Sequence, residues 1–159
     1  MPDVRLRDVS FDDPAVAQLL AEWNDELGFW PKGGATVEAS EFVWPEGIFV
    51  LAAFGESTVG CAGLRRLTPR VGEVKRLFVR PAARRQGVAR ALLAGLEERA
   101  AGLGFEELRL DTDGGVPAAL ALFRSVGFTP IDDYNGNPYA RYWFAKRLAS
   151  GLSATRRRR

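Results

Sequence analysis

The stretch from Arg84 to Arg90 combines arginines with a glycine where a strand pattern gives way to a helix pattern. The first turn of a helix leaves backbone N–H groups unpaired, and the helix dipole places partial positive charge there. Gly87 has no Cβ and therefore lets another group approach the backbone closely. Arg84, Arg85 and Arg90 add positive charge around the same spot. These features predict a site for a phosphate or pyrophosphate group.

The composition limits what other chemistry the chain can perform. Its 159 residues include no histidine, which excludes Ser-His-Asp and Cys-His catalysis and histidine metal triads. Cys61 is the one cysteine, so an intrachain disulfide or a cysteine zinc cluster cannot form, and we expect no metal. Cys61 lies in a strand pattern between Gly60 and Ala62, which favours a buried structural thiol. A general base must therefore come from Asp, Glu, Lys, Tyr or a terminus.

The distribution of charge argues against nucleic-acid binding by the folded part of the chain. Four of the 22 basic residues are the terminal Arg156 to Arg159, so the rest carries 18 basic against 20 acidic residues. We expect one domain over residues 1–149 and a flexible basic tail over residues 150–159. The first residues do not resemble a signal peptide, and no apolar run is long enough to span a membrane. A cytoplasmic protein with neither a membrane nor a nucleic-acid partner is expected.

Hydrophobic periodicity predicts eleven elements in the order β-α-α-β-β-β-α-β-α-β-β. The four predicted helices begin near Pro14, Val37, Gly87 and Pro117. The predicted strands span residues 4–9, 48–54, 58–67, 73–79, 108–112, 128–131 and 142–148. This order predicts an α/β fold of the α+β type, with helices on both faces of a mixed sheet. Two successive polar residues, Lys75 and Arg76, break the alternation of the fourth strand and indicate a β-bulge.

The run from Glu73 to Leu93 resembles the acetyl-CoA motif of the GNAT N-acetyltransferase superfamily. That motif, Gln/Arg-x-x-Gly-x-Gly/Ala, is met by Arg84, Gly87 and Ala89. Residues 118–128 resemble the second short helix of the family with its Gly-Phe ending, and residues 60–64 resemble the strand that precedes the cofactor strand. The similarity covers residues 48–148 and follows the order of elements. It implies a single GNAT-like domain whose mostly antiparallel sheet of about seven strands contains two splayed central parallel strands.

The resemblance also implies how acetyl-CoA binds as co-substrate. The pantetheine arm would lie between the splayed strands, which contain residues 77–79 and 108–110, and would pair with backbone groups of the first strand. The pyrophosphate would meet N–H groups at the start of the following helix. The implied cofactor contacts are Leu77, Phe78, Val79, Arg84, Arg85, Gln86, Gly87, Val88, Ala89, Arg90 and Phe123.

Proton transfer requires a base for the amine and a proton for the leaving thiolate. Glu73 lies fourteen residues before Gly87, a spacing that matches the catalytic glutamate of several members of the superfamily. We therefore expect Glu73 to act as general base, directly or through a water; an exposed strand-end glutamate is the alternative. The tyrosine that often protonates the thiolate is replaced here by Phe123. Tyr134 is our candidate proton donor, with Tyr139, Tyr142 and solvent as alternatives.

The acceptor is expected to bind where aromatic and turn residues mix, in residues 29–44 and 132–139. Trp30, Asp111 and Tyr139 are the candidate contacts, Asp111 through attraction to a cationic amine; core packing and turn capping are the alternatives. The resulting hypothesis is an N-acetyltransferase acting on the primary amine of a small molecule by direct attack in a ternary complex. A protein or peptide acetyltransferase and, because of Phe123, a non-catalytic acyl-CoA sensor are alternatives. The family resemblance also allows a homodimer.

Overall fold

The computed structural model describes residues 3–27 and 37–148. The strands are β1 (Val4–Asp8), β2 (Gly47–Phe54), β3 (Ser57–Thr68), β4 (Val71–Val79), β5 (Glu107–Thr112), β6 (Thr129–Ile131) and β7 (Tyr142–Arg147). The α-helices are α1 (Pro14–Leu27), α2 (Val88–Ala100) and α3 (Pro117–Ser125). The predicted order of elements is confirmed. No helix within the described residues is long and apolar enough to cross a membrane.

The described residues also contain three short 3-10 helices, at Ala39–Phe42, Pro81–Ala83 and Ala101–Leu103. The first of them lies where the sequence predicts the second of its four helices, near Val37. A capping box between Glu38 and Glu41 closes this single turn, and Val43 then adopts an extended conformation that ends it. The turn is therefore too short to become an α-helix, and the described residues contain three α-helices.

The seven strands form one sheet in the order β1-β2-β3-β4-β5-β7-β6. Every neighbouring pair is antiparallel except β4 and β5, which are parallel. The parallel pairing covers only Val71–Glu73 against Glu107–Arg109, although β4 continues to Val79 and β5 to Thr112. The two central strands therefore part beyond Glu73, as the prediction of splayed parallel strands requires. We call this gap the fork.

The two faces of the sheet differ in what covers them. One face packs Val74 of β4 and Leu108 of β5 against Leu92 and Leu96 of α2. The opposite face packs β2, β3 and β4 against α1, with the buried residues Val16, Leu19, Phe49, Leu51, Cys61 and Phe78. Because successive strand residues point to opposite faces, the polar residues that flank Val74 and Leu108 lie on the α1 side.

A β-bulge interrupts β4 beside the fork, as the sequence predicts. Two β4 residues, Arg76 and Leu77, lie opposite the single β3 residue Ala62, because Lys75 pairs with Gly63 and Phe78 with Cys61. Arg76 has φ 58°, in the left-handed region, which costs a residue with a Cβ roughly 1–2 kcal/mol. The bulge reverses the alternation of β4, so that Phe78 faces α1 although Lys75 also lies on that side.

Candidate active site

The loop before α2 leaves a row of backbone donors unused. Gly87, at the N-terminus of the helix, has φ 83°, and Arg85 has φ 65°. The N–H of Ala91 donates to the Gly87 carbonyl at 3.0 Å, whereas the N–H groups of residues 85–90 donate to no backbone oxygen of residues 3–27 or 37–148. Left-handed residues within such a loop arrange N–H groups into a concave anion-binding surface. Unpaired backbone donors therefore lie where the sequence predicts a phosphate site, and the site itself stays a prediction.

The arginine side chains of this loop are arranged differently from what the sequence suggests. The Arg84 guanidinium donates to the Val79 carbonyl at 2.9 Å and to both carboxylate oxygens of Glu26 in α1, at 2.7 and 2.6 Å. The hydrogen bond from Arg84 lowers the pKa of Glu26. Arg90 donates to the Ser125 hydroxyl at 3.0 Å. The charge of Arg84 is thus used to hold α1, and the groups of this loop that stay available for an anion are mainly backbone amides.

The fork exposes one edge of β4 next to this loop. Residues 77–79 have no β5 partner, because the parallel pairing stops at Glu73. An extended ligand could therefore pair with this edge as an added strand would. Phe123 is buried, at 6% exposure, and packs against Phe128 and Phe144, with ring centroids 6.2 and 5.8 Å away. Its contact with the cofactor stays a prediction.

Glu73 lies at the point of the fork, where it pairs with Arg109 of β5. Its carboxylate is buried, at 1% exposure, and so the alternative of an exposed strand-end glutamate is wrong. Oε1 accepts a hydrogen bond at 3.0 Å from Nε of Arg65, its cross-strand neighbour in β3. The Nη2 atom of Arg65 forms an ion pair with the same oxygen at 2.9 Å. Oε2 accepts a hydrogen bond from the Tyr134 hydroxyl at 2.6 Å. The two residues predicted to move protons are therefore in direct contact.

A buried lysine joins this cluster from the same strand. Lys75 is 6% exposed, and its Nζ lies 3.6 Å from Glu73 Oε2 and 3.9 Å from Asp111 Oδ2. Arg65 is paired in turn with Glu41, at 2.9 Å. Charges are tolerated inside a protein when opposite charges and hydrogen-bond donors surround them. The three carboxylates and two cations thus form one network that joins the 3-10 helix Ala39–Phe42 to β3, β4 and β5.

The segment between β6 and β7, residues 132–141, covers the fork. Asn135 Nδ2 donates to Asp111 Oδ2 at 2.5 Å and to Glu73 Oε2 at 3.2 Å. Asn137 Nδ2 also donates to Asp111, at 3.2 Å. Arg109 lies 5.5 Å from the centroid of the Tyr134 ring. Asp111 is therefore held by amides and Lys75, and its predicted contact with an acceptor amine stays a prediction.

The other predicted acceptor contacts are Tyr139 and Trp30, and Tyr142 is an alternative proton donor. Tyr139 is 46% exposed, and its N–H donates to the Asn137 side chain at 3.0 Å. Tyr142 is exposed and lies over Gly114. Trp30 and the tail over residues 150–159 lie outside the described residues.

Sequence reasoning missed several members of the network, above all Arg65, Lys75 and Asn135. Arg65 directly follows the apolar run over residues 59–64 of β3 and has Arg66 as its neighbour, so the sequence offers only a weak signal for its role. Asn135 lies in an Asn-Gly-Asn run that indicates a turn, and its side chain gives no sequence signal for a contact with Glu73. The contact with Glu73 spans 62 residues of the chain, so only the fold brings it about.

The amino-acid sequence matches a family of acetyltransferases, in agreement with the arrangement of residues around the fork. Residues 15–128 match the model of the acetyltransferase (GNAT) family. The chain belongs to the GNAT family. It is an N-acetyltransferase, and the family uses acetyl-CoA as acetyl donor.

Individual relatives of this GNAT chain differ in the acceptors that their names indicate. It is 31% identical over 148 residues to an IAA acetyltransferase of Azospirillum brasilense, an alignment that covers 89% of this chain and 97% of the relative. It is 39% identical over 125 residues to the N-alpha-acetyltransferase RimI of Mycobacterium tuberculosis, which covers 74% and 75% of the two chains. The crystal structure of a GNAT acetyltransferase from Staphylococcus aureus matches with a TM-score of 0.76 at 17% identity, over 92% of this chain and 99% of that one. The last comparison establishes the fold.

Cys61 of this acetyltransferase is a buried structural thiol, as predicted. Its side chain has no exposed surface, and its thiol donates to the Arg76 carbonyl at 3.3 Å. Burial raises the pKa of Cys61 from 9.0 to about 12. A thiolate nucleophile needs a lowered pKa and access to the substrate, and Cys61 has neither.

We expect Cys61 to resist a chromogenic thiol reagent at pH 8 while the protein is folded and to react at once in denaturant, because the folded thiol is neutral and covered. Cys61→Ala should leave the rate of acetyl transfer within about twofold of wild type, since no covalent step passes through the thiol. Rapid modification of the native protein at pH 8 would contradict this assignment.

The raised pKa of Cys61 also predicts how the free energy of unfolding depends on pH. The buried neutral thiol stabilises the folded state below pH 9, and this stabilisation is lost as the pH rises from 9 towards 12, because the thiol ionises first in the unfolded chain.

Proposed function

We propose that the protein transfers the acetyl group of acetyl-CoA to the primary amine of a small molecule, by direct attack in a ternary complex. In this proposal Glu73 accepts a proton from the amine and Tyr134 delivers one to the leaving thiolate. The observation that carries it is the 2.6 Å hydrogen bond from the Tyr134 hydroxyl to Glu73 Oε2 at the point of the fork. A base and a proton donor in direct contact can carry both proton transfers of an acyl transfer.

The residues around the fork fit acetyl-CoA by their chemistry. Unused N–H groups over residues 85–90 suit the two charges of a pyrophosphate. The edge of residues 77–79, which does not pair with β5 and where Arg84 already contacts the Val79 carbonyl, suits the amides of a pantetheine arm. When bound there, acetyl-CoA supplies the thioester carbonyl carbon as electrophile. Both groups of donors lie at the carboxyl end of β4, so one elongated ligand can reach them together.

The proton path follows from the hydrogen bonds of Glu73 and Tyr134. Burial, and then the negative charge of Glu73, raise the pKa of Tyr134, so its hydroxyl keeps its proton at neutral pH. Glu73 Oε2 takes one proton from the attacking amine, directly or through a water, as the N–C bond forms and the C–S bond breaks. Tyr134 gives its proton to the sulfur and regains one from Glu73 along their hydrogen bond. One proton leaves nitrogen, one reaches sulfur, and both side chains return to their starting states.

The cover over the fork favours a small acceptor. The carboxylate of Glu73 is 1% exposed because residues 132–141 lie over it through Asn135 and Tyr134. A small amine needs only a local opening to reach this carboxylate, whereas a peptide chain needs an open groove. The second candidate is a protein or peptide amine, which the 39% identity to RimI supports.

The acceptor class is tested by thiol release from acetyl-CoA with a panel of amines. The panel contains free amino acids, polyamines, aminoglycosides and a short peptide with a free amino terminus, each at several concentrations. Because Cys61 is buried, a thiol reagent at pH 8 reports released CoA with little background from the protein. Turnover with a small amine at a kcat/KM above that for the peptide supports the proposal. Turnover with the peptide alone overturns it in favour of the second candidate.

Tyr134→Phe removes the proton donor while keeping the ring between Arg109 and the fork. We expect kcat to fall by about 10- to 100-fold, at the lower end of general acid–base contributions because solvent can still protonate a CoA thiolate. The KM for acetyl-CoA should stay within about twofold, since the hydroxyl contacts Glu73 and not the residue 85–90 amides. Tyr139→Phe and Tyr142→Phe test the alternative donors. A loss of kcat in either of these, with wild-type kcat in Tyr134→Phe, would contradict the role of Tyr134.

A further inference from the structure

The side chain of Asn135 connects three strands at the fork. Its Nδ2 donates to Glu73 of β4 at 3.2 Å and to Asp111 of β5 at 2.5 Å. Its Oδ1 accepts a hydrogen bond from the indole Nε1 of Trp143 in β7 at 3.0 Å. One amide group therefore spans the gap between β4 and β5, at the height where their own backbone pairing has ended.

The chemistry of these partners fixes which way the Asn135 amide points. An ionised carboxylate only accepts hydrogen bonds, and an indole N–H only donates. The NH2 end of the amide must therefore face Glu73 and Asp111, and the oxygen must face Trp143. A rotated amide would place its oxygen against two carboxylates and its NH2 group against a donor, which loses all three hydrogen bonds. Trp143 thus keeps the donor end of Asn135 directed at Glu73.

Asn135 also follows Tyr134 directly in the chain, within a segment held by its own turns. The Asp133 side chain accepts the N–H of Asn135 at 2.9 Å and of Gly136 at 2.7 Å, and Asn135 Oδ1 accepts the N–H of Asn137 at 3.1 Å. These bonds fix the backbone on both sides of Asn135. Anchoring the Asn135 side chain on Glu73 and Asp111 therefore also sets the position of the neighbouring Tyr134 hydroxyl.

We propose that Asn135 is a positioning residue of the transfer reaction, which holds the Tyr134 hydroxyl against Glu73 by bridging Glu73 and Asp111 in an orientation set by Trp143. The inference rests on the proposed function, since it concerns the same proton path. Asn135 moves no proton itself. Its contribution is to keep the donor and the base at hydrogen-bond distance, because displacement of catalytic groups by about 1 Å can lower the rate by about 10²-fold.

The test compares two alanine substitutions within the same segment. Asn135→Ala removes the bridge, and we expect kcat to fall about 10-fold with the KM for acetyl-CoA within about twofold, because hydrogen bonds to charged groups are the ones lost. Asn137→Ala is the matched control: Asn137 contacts Asp111 but neither Glu73 nor Tyr134, so its kcat should stay within about twofold. Trp143→Phe removes one of the two donors that orient the amide and leaves the Asn137 N–H in place. About a threefold loss of kcat is expected. Thermal unfolding establishes that each variant is folded at the assay temperature.

A double-mutant cycle separates positioning from general destabilisation. If Asn135 acts through Tyr134, then adding Asn135→Ala to Tyr134→Phe should lower kcat by less than about twofold further, because coupled residues are not additive. A full, additive 10-fold loss in the double variant would overturn the proposal, as would wild-type kcat in Asn135→Ala. Should Asn135→Ala fail to fold, the same cycle with Trp143→Phe decides the question.

The single variants separate this inference from the proposed function. Loss of kcat in Glu73→Gln and Tyr134→Phe without loss in Asn135→Ala would refute the positioning role of Asn135 alone. Wild-type kcat in Glu73→Gln and Tyr134→Phe would refute the proposed function.

Discussion

Glu73→Gln should lower kcat by about 10²- to 10³-fold, the size of effect that loss of a general base produces. Glutamine keeps the shape of the side chain and can still accept one hydrogen bond, but it cannot take a proton from the amine. The affinity for acetyl-CoA should change by less than about twofold, since the amides proposed to bind the pyrophosphate lie in residues 85–90, beyond the far end of β4. Steady-state thiol release gives kcat, and calorimetric titration with acetyl-CoA gives the affinity.

The substitution also removes one partner from a buried charge network, so stability has to be measured beside activity. An uncompensated buried charge can cost about 3–5 kcal/mol. Here Arg65 keeps Glu41 and Lys75 keeps Asp111 as partners, which limits the loss. Glu41→Gln is the matched control, because it takes a carboxylate from Arg65 without touching Glu73 or Tyr134. A kcat near wild type in Glu73→Gln, with a folded protein, would show that Glu73 is not the base.

Gly87→Val should weaken acetyl-CoA binding by at least about 10-fold. Gly87 has φ 83°, where a residue with a Cβ is strained by roughly 1–2 kcal/mol and a β-branched side chain is especially disfavoured. In the valine variant, relief of this strain would change the backbone conformation at residue 87. The N–H groups of residues 85–90 would then no longer converge on one anion, and the valine methyl groups would stand among them. Calorimetric titration with CoA measures the loss without any need for the acceptor.

The control for this substitution lies at the opposite end of the same helix. Gly104 follows the 3-10 turn after α2, also has φ 83°, and has open space where a Cβ would lie. Gly104→Val therefore introduces the same backbone strain and should lower the stability of the fold to a similar degree, while the affinity for CoA stays within about twofold of wild type. If Gly87→Val and Gly104→Val lose the same affinity for CoA, then binding depends on the stability of α2 and not on the N–H groups of residues 85–90.

The sequence predicted those parts of the fold whose signals are local. Alternation marked β4 and its bulge at Arg76, and helical periodicity with Gly87 marked α2, because each depends on residues close together in the chain. The helix predicted near Val37 was wrong in type, since a single capped turn over Ala39–Phe42 gives the same short pattern as the start of an α-helix.

The site was predictable as far as its motif and its carboxylate. Glu73 and Tyr134 were named from the sequence, but their contact spans 61 residues and depends on how the segment after β6 folds back over the fork. The ion pair of Arg84 with Glu26 spans 58 residues, and it redirects a side chain that the motif alone assigns to phosphate. Side-chain partners of this kind follow from strand register and packing, which no short stretch of sequence determines.

The proposed mechanism requires acetyl-CoA to bind at the fork and the loop before α2. Thermal unfolding of the wild-type protein with acetyl-CoA, CoA or ATP tests it most directly. A ligand present at 100 times its Kd adds about 2.7 kcal/mol of stability, which for a domain of this size raises Tm by about 5–10 °C. We predict that rise with acetyl-CoA and CoA and none with ATP, which lacks the pantetheine arm. An unchanged Tm at saturating acetyl-CoA would contradict the assignment of the site and, with it, the proposed mechanism.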